Sequence, residues 1–408
     1  MRSRVAGRWA CVLVLSLPPT FALAQEGVFA IQGFSNQQLV WSDGGQTRSF
    51  GALGATANLL RFQRGDLLVV HSGDWAQGGA GAELWRAPLA GLLAAQQAGQ
   101  PLPWQVVDLG DGENPWDVAA ADDGWWVSLL NSGAVVRVDA QGHELARIAG
   151  LDAPEGLVLA EGVLAVAESG WGHGGAVRFF DAATLDDVGT AAVGANPQCL
   201  ALDGDGRVWC LCSGRSWEGV GASLHRLALD GTVLGSWPVA GNPAELLLDL
   251  SGQSFWLGDE WGSPQLQHGS LADPADVVAL PGAPGGSLAS RSGDVLVAGA
   301  FASALQRRGF DGAPLGGDGL LPGGAVDLCA VPDPASLSSP ARLAIHRQGG
   351  SLQLAWGRVL GADRYRVERR LDGGSWRPLA EPAAPRLDLG LAPVAGRGSY
   401  RVRALGAW

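Results

Sequence analysis

Asn196-Pro-Gln-Cys-Leu-Ala-Leu-Asp-Gly-Asp-Gly-Arg-Val-Trp-Cys-Leu-Cys-Ser-Gly214 reads as an Asn-Pro turn, a short apolar strand, an Asp-Gly turn and a second strand carrying Val208 and Trp209. Asp-Gly between two such runs is a strong hairpin signal, because glycine takes the positive φ that a tight turn requires. With Gly204-Asp205 as a two-residue turn, Asp203 pairs with Gly206 and Cys199 falls opposite Cys210. The alternation continues through Ser223–Leu229, a second turn at Asp230-Gly231 and a fourth strand near Thr232–Val239. Four strands in a meander make one unit.

The unit recurs. Pro115, Pro154, Pro197, Pro243, Pro284 and Pro322 each open an apolar strand, spaced at roughly 40 residues, which is the period of a propeller blade and not of a helical solenoid. A less regular copy runs from Ala55 to about Gly112, with an insertion, Ala87–Gln100, whose Leu-Ala-Gln content predicts a short helix between its third and fourth strands. Val28–Leu53 holds three strands and Gly324–Val331 supplies one. Three plus one completes a blade, giving a ring of seven closed by strands from both ends of the domain, with no free sheet edge there. The expected blades after the closing strands are 55–112, 113–150, 151–194, 195–241, 242–281 and 282–320.

Composition agrees with turn-rich all-β structure: 62 Gly in 408 residues, and 17 Trp among the aromatics. All 28 basic residues are arginine, which nothing structural demands. Residues 1–24 read as a secretory leader, with Arg2, Arg4 and Arg8 before the apolar Ala10–Leu17 and a small-residue cleavage site at Ala22-Leu23-Ala24. Cys11 precedes most of the apolar run and is not a lipid-anchor cysteine. No later run reaches the ~18 apolar residues of a membrane span. The expected product is exported, periplasmic or extracellular, with no transmembrane segment.

Four cysteines remain, Cys199, Cys210, Cys212 and Cys329. A bridge between directly opposed strand positions is strained, so buried free thiols are expected. Cys-x-Cys with only His225 nearby is a poor zinc pattern. Charge is uneven. Residues 25–339 carry 13 Arg against 35 Asp and Glu, whereas residues 340–408 carry 12 Arg against 5 acids. The acidic part excludes nucleic acid as a natural partner. The basic tail reads as a solvated face, with docking on its own propeller or on an anionic surface as the other readings.

Pro332–Pro340 reads as a linker, and 341–408 as a second domain with six short strands: Ala341–His346, Ser351–Trp356, Tyr365–Arg370, Trp376–Leu379, Arg386–Leu391 and Ser399–Leu405. Leu352, Leu354 and Trp356 alternate, as do Tyr365 with Val367, and Tyr400 with Val402 and Ala404. Trp356, Tyr365 and Tyr400-Arg-Val-Arg-Ala404 together resemble a fibronectin type III module, a β-sandwich, here without a seventh strand. Asn114-Pro-Trp-Asp-Val118, Asn196-Pro-Gln-Cys-Leu200 and Asn242-Pro-Ala-Glu-Leu246 open blades in a manner that resembles bacterial YVTN-type surface propellers over most of 26–331. That resemblance implies a binding or scaffold protein, and its functional analogy is corrinoid (cobalamin) capture for an outer-membrane transporter.

In a meander the loops after the second strands share an end with the blade-to-blade loops. Phe34, Trp75, Trp171, Trp217, Trp261 and Phe301 follow second strands, and Trp116 sits at the start of the third blade. Acids accompany them, among them Asp74, Asp117, Glu155, Glu168, Glu218, Glu245, Asp259 and Glu260. One reading is that the indoles cover blade ends; the other is a shared platform for a large ligand or protein. Because unpaired burial would cost the acids dearly, they are expected to line a wet mouth. The expected ligand-binding set is Trp75, Trp116, Asp117, Glu155, Glu168, Trp171, Trp217, Glu245 and Trp261. No nucleophile elbow, zinc-protease helix or phosphate loop is present. Asp203-Gly-Asp205-Gly lacks the downstream residues of a calcium loop. A metal-dependent lactonase using Asp117, Glu155 and Glu245 is the enzymatic alternative. A non-enzymatic binding propeller without cofactor or metal is the reading the sequence favours.

Overall fold

The computed structural model describes residues 27–33, 36–42, 47–249, 251–258, 266–280, 282–283, 285–291, 293–299, 303–316, 319–321, 325–331, 344–348, 351–356, 359, 362, 364–371, 375–382, 386–389 and 398–405. Among these, seven four-stranded antiparallel sheets follow one another along the chain. The innermost strands are Ala57–Gln63, Pro115–Ala121, Pro154–Ala160, Pro197–Leu202, Glu245–Leu248, Ser287–Ser290 and Ala325–Val331. Each packs beside the next, and Ala325–Val331 packs beside Ala57–Gln63, so the series comes back on itself. The sheet that joins the two ends runs Ala325–Val331, Gly27–Gln32, Gln37–Ser42, Thr47–Gly54, with Phe29 opposite Cys329. The architecture is all-β and consistent with a β-propeller.

The strand-opening prolines have a local reason. Pro115, Pro154 and Pro197 are the first residues of their strands, where no ladder N–H is required. The residue before each, Asn114, Ala153 and Asn196, has φ of 51, 48 and 57°. A residue preceding proline avoids the right-handed helical region, and asparagine tolerates the left-handed one better than most.

The quoted hairpin closes differently from its reading as a two-residue turn. Asp203 N donates to the Arg207 carbonyl and Gly206 N to that of Asp203, with Gly206 at φ 75°. This is a three-residue loop with glycine at the bulge position. Leu202 therefore faces Val208, and Cys199 lies opposite Leu211, not Cys210. The Asp203 carboxylate organises the hairpin. Its Oδ1 accepts from the amides of Asp205 and Arg207, and its Oδ2 from Trp209 Nε1 (3.0 Å) and Arg226. Asp249 does the same for Trp256 Nε1 at 3.0 Å. Trp209 and Trp256 are fully buried second-strand residues with their indole N–H groups bonded in this way; Trp126, at a second strand too, is equally buried but its Nε1 has no partner, and all three pack between neighbouring sheets.

The sheets are also tied to one another by polar groups of the innermost strands. Asp117 Oδ2 accepts from Leu157 N, Glu245 Oε1 from Leu288 N and Asp327 Oδ2 from Leu60 N, each on the following sheet. Asn58 Nδ2, Cys199 Sγ and Ser287 Oγ donate to the carbonyls of Pro115, Ala244 and Val326 across three other junctions. The Glu155 carboxyl meets Gln198 across the seventh. A buried amide without a partner costs about 1–3 kcal/mol, so these links favour one ring geometry.

The helix expected in the insertion is present as Leu89–Ala98, between Ala80–Pro88 and Gln105–Asp108. In the C-terminal region, Ala344–Gln348, Ser351–Ala355 and Arg386–Asp388 form one three-stranded sheet, and Arg377–Ala380, Arg364–Leu371 and Gly398–Leu405 another. Leu354 and Trp356 of the first share a core with Tyr365 and Val367 of the second. The expected leader at 1–24 and linker at 332–340 lie outside the described residues.

The four thiols Cys199, Cys210, Cys212 and Cys329 are unbridged. Sγ of Cys210 and Cys212 lie 3.8 Å apart on one strand face, well beyond a bonded ~2 Å. Alkylation of denatured, unreduced protein followed by mass spectrometry should label all four. A 210–212 bridge in that spectrum would overturn the assignment.

Candidate functional site

Three one-turn 3-10 segments, Trp75–Gln77, Gly170–Gly172 and Ser216–Glu218, follow the second strands of the second, fourth and fifth sheets in ring order. They occupy equivalent places at one end of the ring. Trp171 is 60% exposed and Trp217 is 66% exposed, the two most exposed large apolar side chains among the described residues. Their loops touch. A Cβ built on Gly172 would lie 3.4 Å from Cη2 of Trp217, so that indole runs across the neighbouring loop. Arg215 Nη1 reaches the Gly172 carbonyl at 3.5 Å, and its Nε pairs with Glu218 at 2.9 Å.

Trp171 is held at φ 56°, ψ 39°. A side chain other than glycine there costs about 1–2 kcal/mol, and strain of that kind concentrates where a side chain must be aimed. An indole left 60% exposed brings the fold little burial to offset that cost.

Trp116 is half-buried and lines the central channel together with Asp117 and Glu245. The Trp75 side chain and the whole of Trp261, Phe34, Phe301, Asp259 and Glu260 lie outside the described residues.

The acids take a different place from the wet mouth expected of them. Asp117, Glu155 and Glu168 are 7, 5 and 8% exposed. Asp117 Oδ1 accepts from Val118 N and pairs with Arg61 at 3.3 Å, while its other oxygen bonds the next sheet. Glu168 Oε1 accepts from Asp152 N at 3.0 Å, and burial raises its pKa. Glu245 is half-buried and bonded to Leu288 N. Most of these carboxylates are buried with partners, chiefly backbone amides and Arg61, so theirs is not the unpaired burial that would be costly.

Glu155 is the exception. Burial pushes its carboxyl up to about 7, partly offset by hydrogen bonds with Ser169 and Gln198, and Oε2 has no hydrogen-bond partner. Ser169 directly precedes the Trp171 turn. Gln198 Oε1 accepts from Ser213 Oγ, one residue before Gly214 and the Trp217 loop. A buried carboxyl is therefore linked, through Ser169 and Gln198, to residues adjoining the loops of both exposed indoles.

Arg61, Asp327 and Ser287 complete the inner-strand network, and Ser128, from the second strand Gly124–Leu129, joins it by donating to the Glu155 carbonyl at 2.7 Å; the sequence had pointed to none of the four. Arg61 sits between Asp117 and Asp327, at 3.3 and 3.8 Å, and the two carboxylates raise its pKa against the opposing effect of burial. Their signal was available in part: a polar residue one or two positions after the strand-opening proline recurs as Asp117, Glu155, Gln198 and Glu245. Asp327 escaped because it lies five positions after Pro322.

With this geometry in view, likeness to known proteins is informative about shape. Hydrazine synthase of Kuenenia stuttgartiensis superposes with TM-score 0.51 and 13% identity over 63% of this chain and 77% of that one. Apo AztD from Citrobacter koseri gives 0.50 and 9% over 75 and 98%. A functionally unknown protein from Desulfotomaculum acetoxidans gives 0.54 and 13% over 76 and 100%. These are likenesses of fold alone. No protein-family model and no curated protein matches the sequence.

Proposed function

We propose that the chain is an exported, non-enzymatic binding protein, a seven-bladed propeller followed by a fibronectin type III-like sandwich, with its ligand held on the loop face that carries Trp171 and Trp217. The observation behind this reading is the exposed pair itself: two adjacent indoles in water, one on a strained backbone. Rigid aromatic side chains of this kind give large contact area at low entropic cost. We propose the same role for Trp75, Trp116 and Trp261, which the sequence assigns to loops of the same face. Asp117, Glu155, Glu168 and Glu245 serve it from below, by fixing the strands that carry the loops. Asp117 and Glu245, two of the three carboxylates a lactonase would use, are engaged with amides of the next sheet, which weighs against that reading.

The test is a tryptophan-fluorescence titration of the protein against corrinoids, glycans and peptides, repeated on Trp171→Ala and Trp217→Ala. One class should quench with saturation, and each substitution should weaken it by about 2 kcal/mol or more. Saturable binding that both variants retain at full affinity would remove the indoles from the site.

A further inference from the structure

The central channel is a cavity of about 2100 Å³ lined by the innermost strands of all seven sheets. Trp116, Asn114 and Asn58 line it at the strand-opening end, on the side of the indole loops. At the other end it is lined by the turns between first and second strands: Arg64 and Gly65, Asp122 and Asp123, Glu161 and Gly162. There the lining continues onto the C-terminal region, through Val359, Ala362, Arg364, Glu381, Pro382 and Arg386. Arg386 Nη2 reaches the Glu161 carbonyl at 3.5 Å, and its Nη1 stands 3.9 Å from Glu161 Oε2.

We infer that the C-terminal module is an electrostatically held stopper, which closes the channel mouth opposite the tryptophan face by laying its arginine-rich surface on the acidic turns of the ring. Three observations carry this. Among the described residues, those of the module that line the channel do so beside the strand turns just named. The module has a core of its own, Leu354, Trp356, Tyr365 and Val367, so it can move as a unit without unfolding. The net charges of the two parts are opposite: 340–408 carries 12 Arg and 5 acids, 25–339 carries 13 Arg and 35 acids. Direct contact between the two parts is sparse at Arg386, and an exposed pair at 3.9 Å contributes little by itself. Attraction between the two net charges must then carry much of the docking, and such attraction is screened by salt over a Debye length of ~10 Å at about 0.1 M, falling to ~3 Å at about 1 M. The closure leaves the tryptophan side as the open route into the channel. It does not depend on the ligand reading above, and either can fail alone.

Small-angle scattering of the whole chain tests it. At about 0.05 M salt the unaltered protein should be compact, and at about 1 M the radius of gyration should rise by on the order of 10% as the module swings free. Arg364→Glu/Arg386→Glu should show the extended form already at low salt, both arginines being half-exposed and outside the module's core. Scattering curves that superpose at both salt concentrations in the unaltered protein would overturn the inference, whatever the variants do.

Discussion

Deleting Ala325–Val331 should abolish the single cooperative unfolding transition of the ring, whereas deleting 341–408 should leave it in place. The segment is the innermost strand of the sheet that also holds Gly27–Gln32, Gln37–Ser42 and Thr47–Gly54. Its loss exposes the edge of Gly27–Gln32, where Val28, Phe29, Ala30 and Ile31 are all buried. It also removes Asp327, whose Oδ2 accepts from Leu60 N and stands 3.8 Å from Arg61 Nη1. Leu328 contributes to the core shared with Ala289 and Leu296, so the junction on the other side opens as well. Burial of this many apolar side chains is worth several times ~1.5–3 kcal/mol, comparable with the whole stability of an ordinary domain. Calorimetry decides it. A truncated protein that still melts in one transition at the original temperature would mean that the ring is not closed by this strand.

Glu155→Gln should stabilise the protein above neutral pH by about 3 kcal/mol and leave it unchanged in acid. Burial holds the carboxyl at about 7 in the folded protein, against an ordinary 4.5 in the unfolded chain. A group whose folded pKa is raised contributes its full stability below the unfolded value and loses it as pH rises through the folded one. The loss in the native protein should therefore run from about pH 4.5 to about pH 7, and glutamine, which cannot ionise, should be spared it. Urea unfolding at about pH 4, 6 and 8 gives both curves. If wild type and variant stay parallel across that range, the carboxylate is solvated and not buried.

The ring was legible because its signals are local and repeated. Proline and Asp-Gly punctuation marks strands by fixing φ, and the roughly 40-residue period needs no tertiary information. The three-plus-one pairing, the insertion helix at Leu89–Ala98 and strand bounds near those of the C-terminal region follow from the same cues. Register was less legible. One extra loop residue, with Gly206 in the bulge position, moved Cys199 from Cys210 to Leu211, and no propensity distinguishes a two-residue from a three-residue turn in Asp-Gly-Asp-Gly. The acids were misplaced for a different reason. Whether Asp117 faces water or the amide of Leu157 depends on how closely the next sheet packs, which is a non-local fact. Trp209 and Trp171 are the same residue type at neighbouring points of the repeat. One is fully buried with its indole N–H on Asp203, the other largely in water.

That contrast carries the central claim, that the exposed indoles are kept for a ligand and not for the fold. The folding free energy of Trp171→Gly tests it most directly, because glycine removes the indole and accepts φ 56° without strain. The expected result is stability equal to the unaltered protein or higher by up to about 1 kcal/mol, relief of the left-handed conformation roughly offsetting glycine's greater freedom in the unfolded chain. A loss of about 3–5 kcal/mol, the range for a truncated buried tryptophan, would show that Trp171 covers the ring and would contradict the claim.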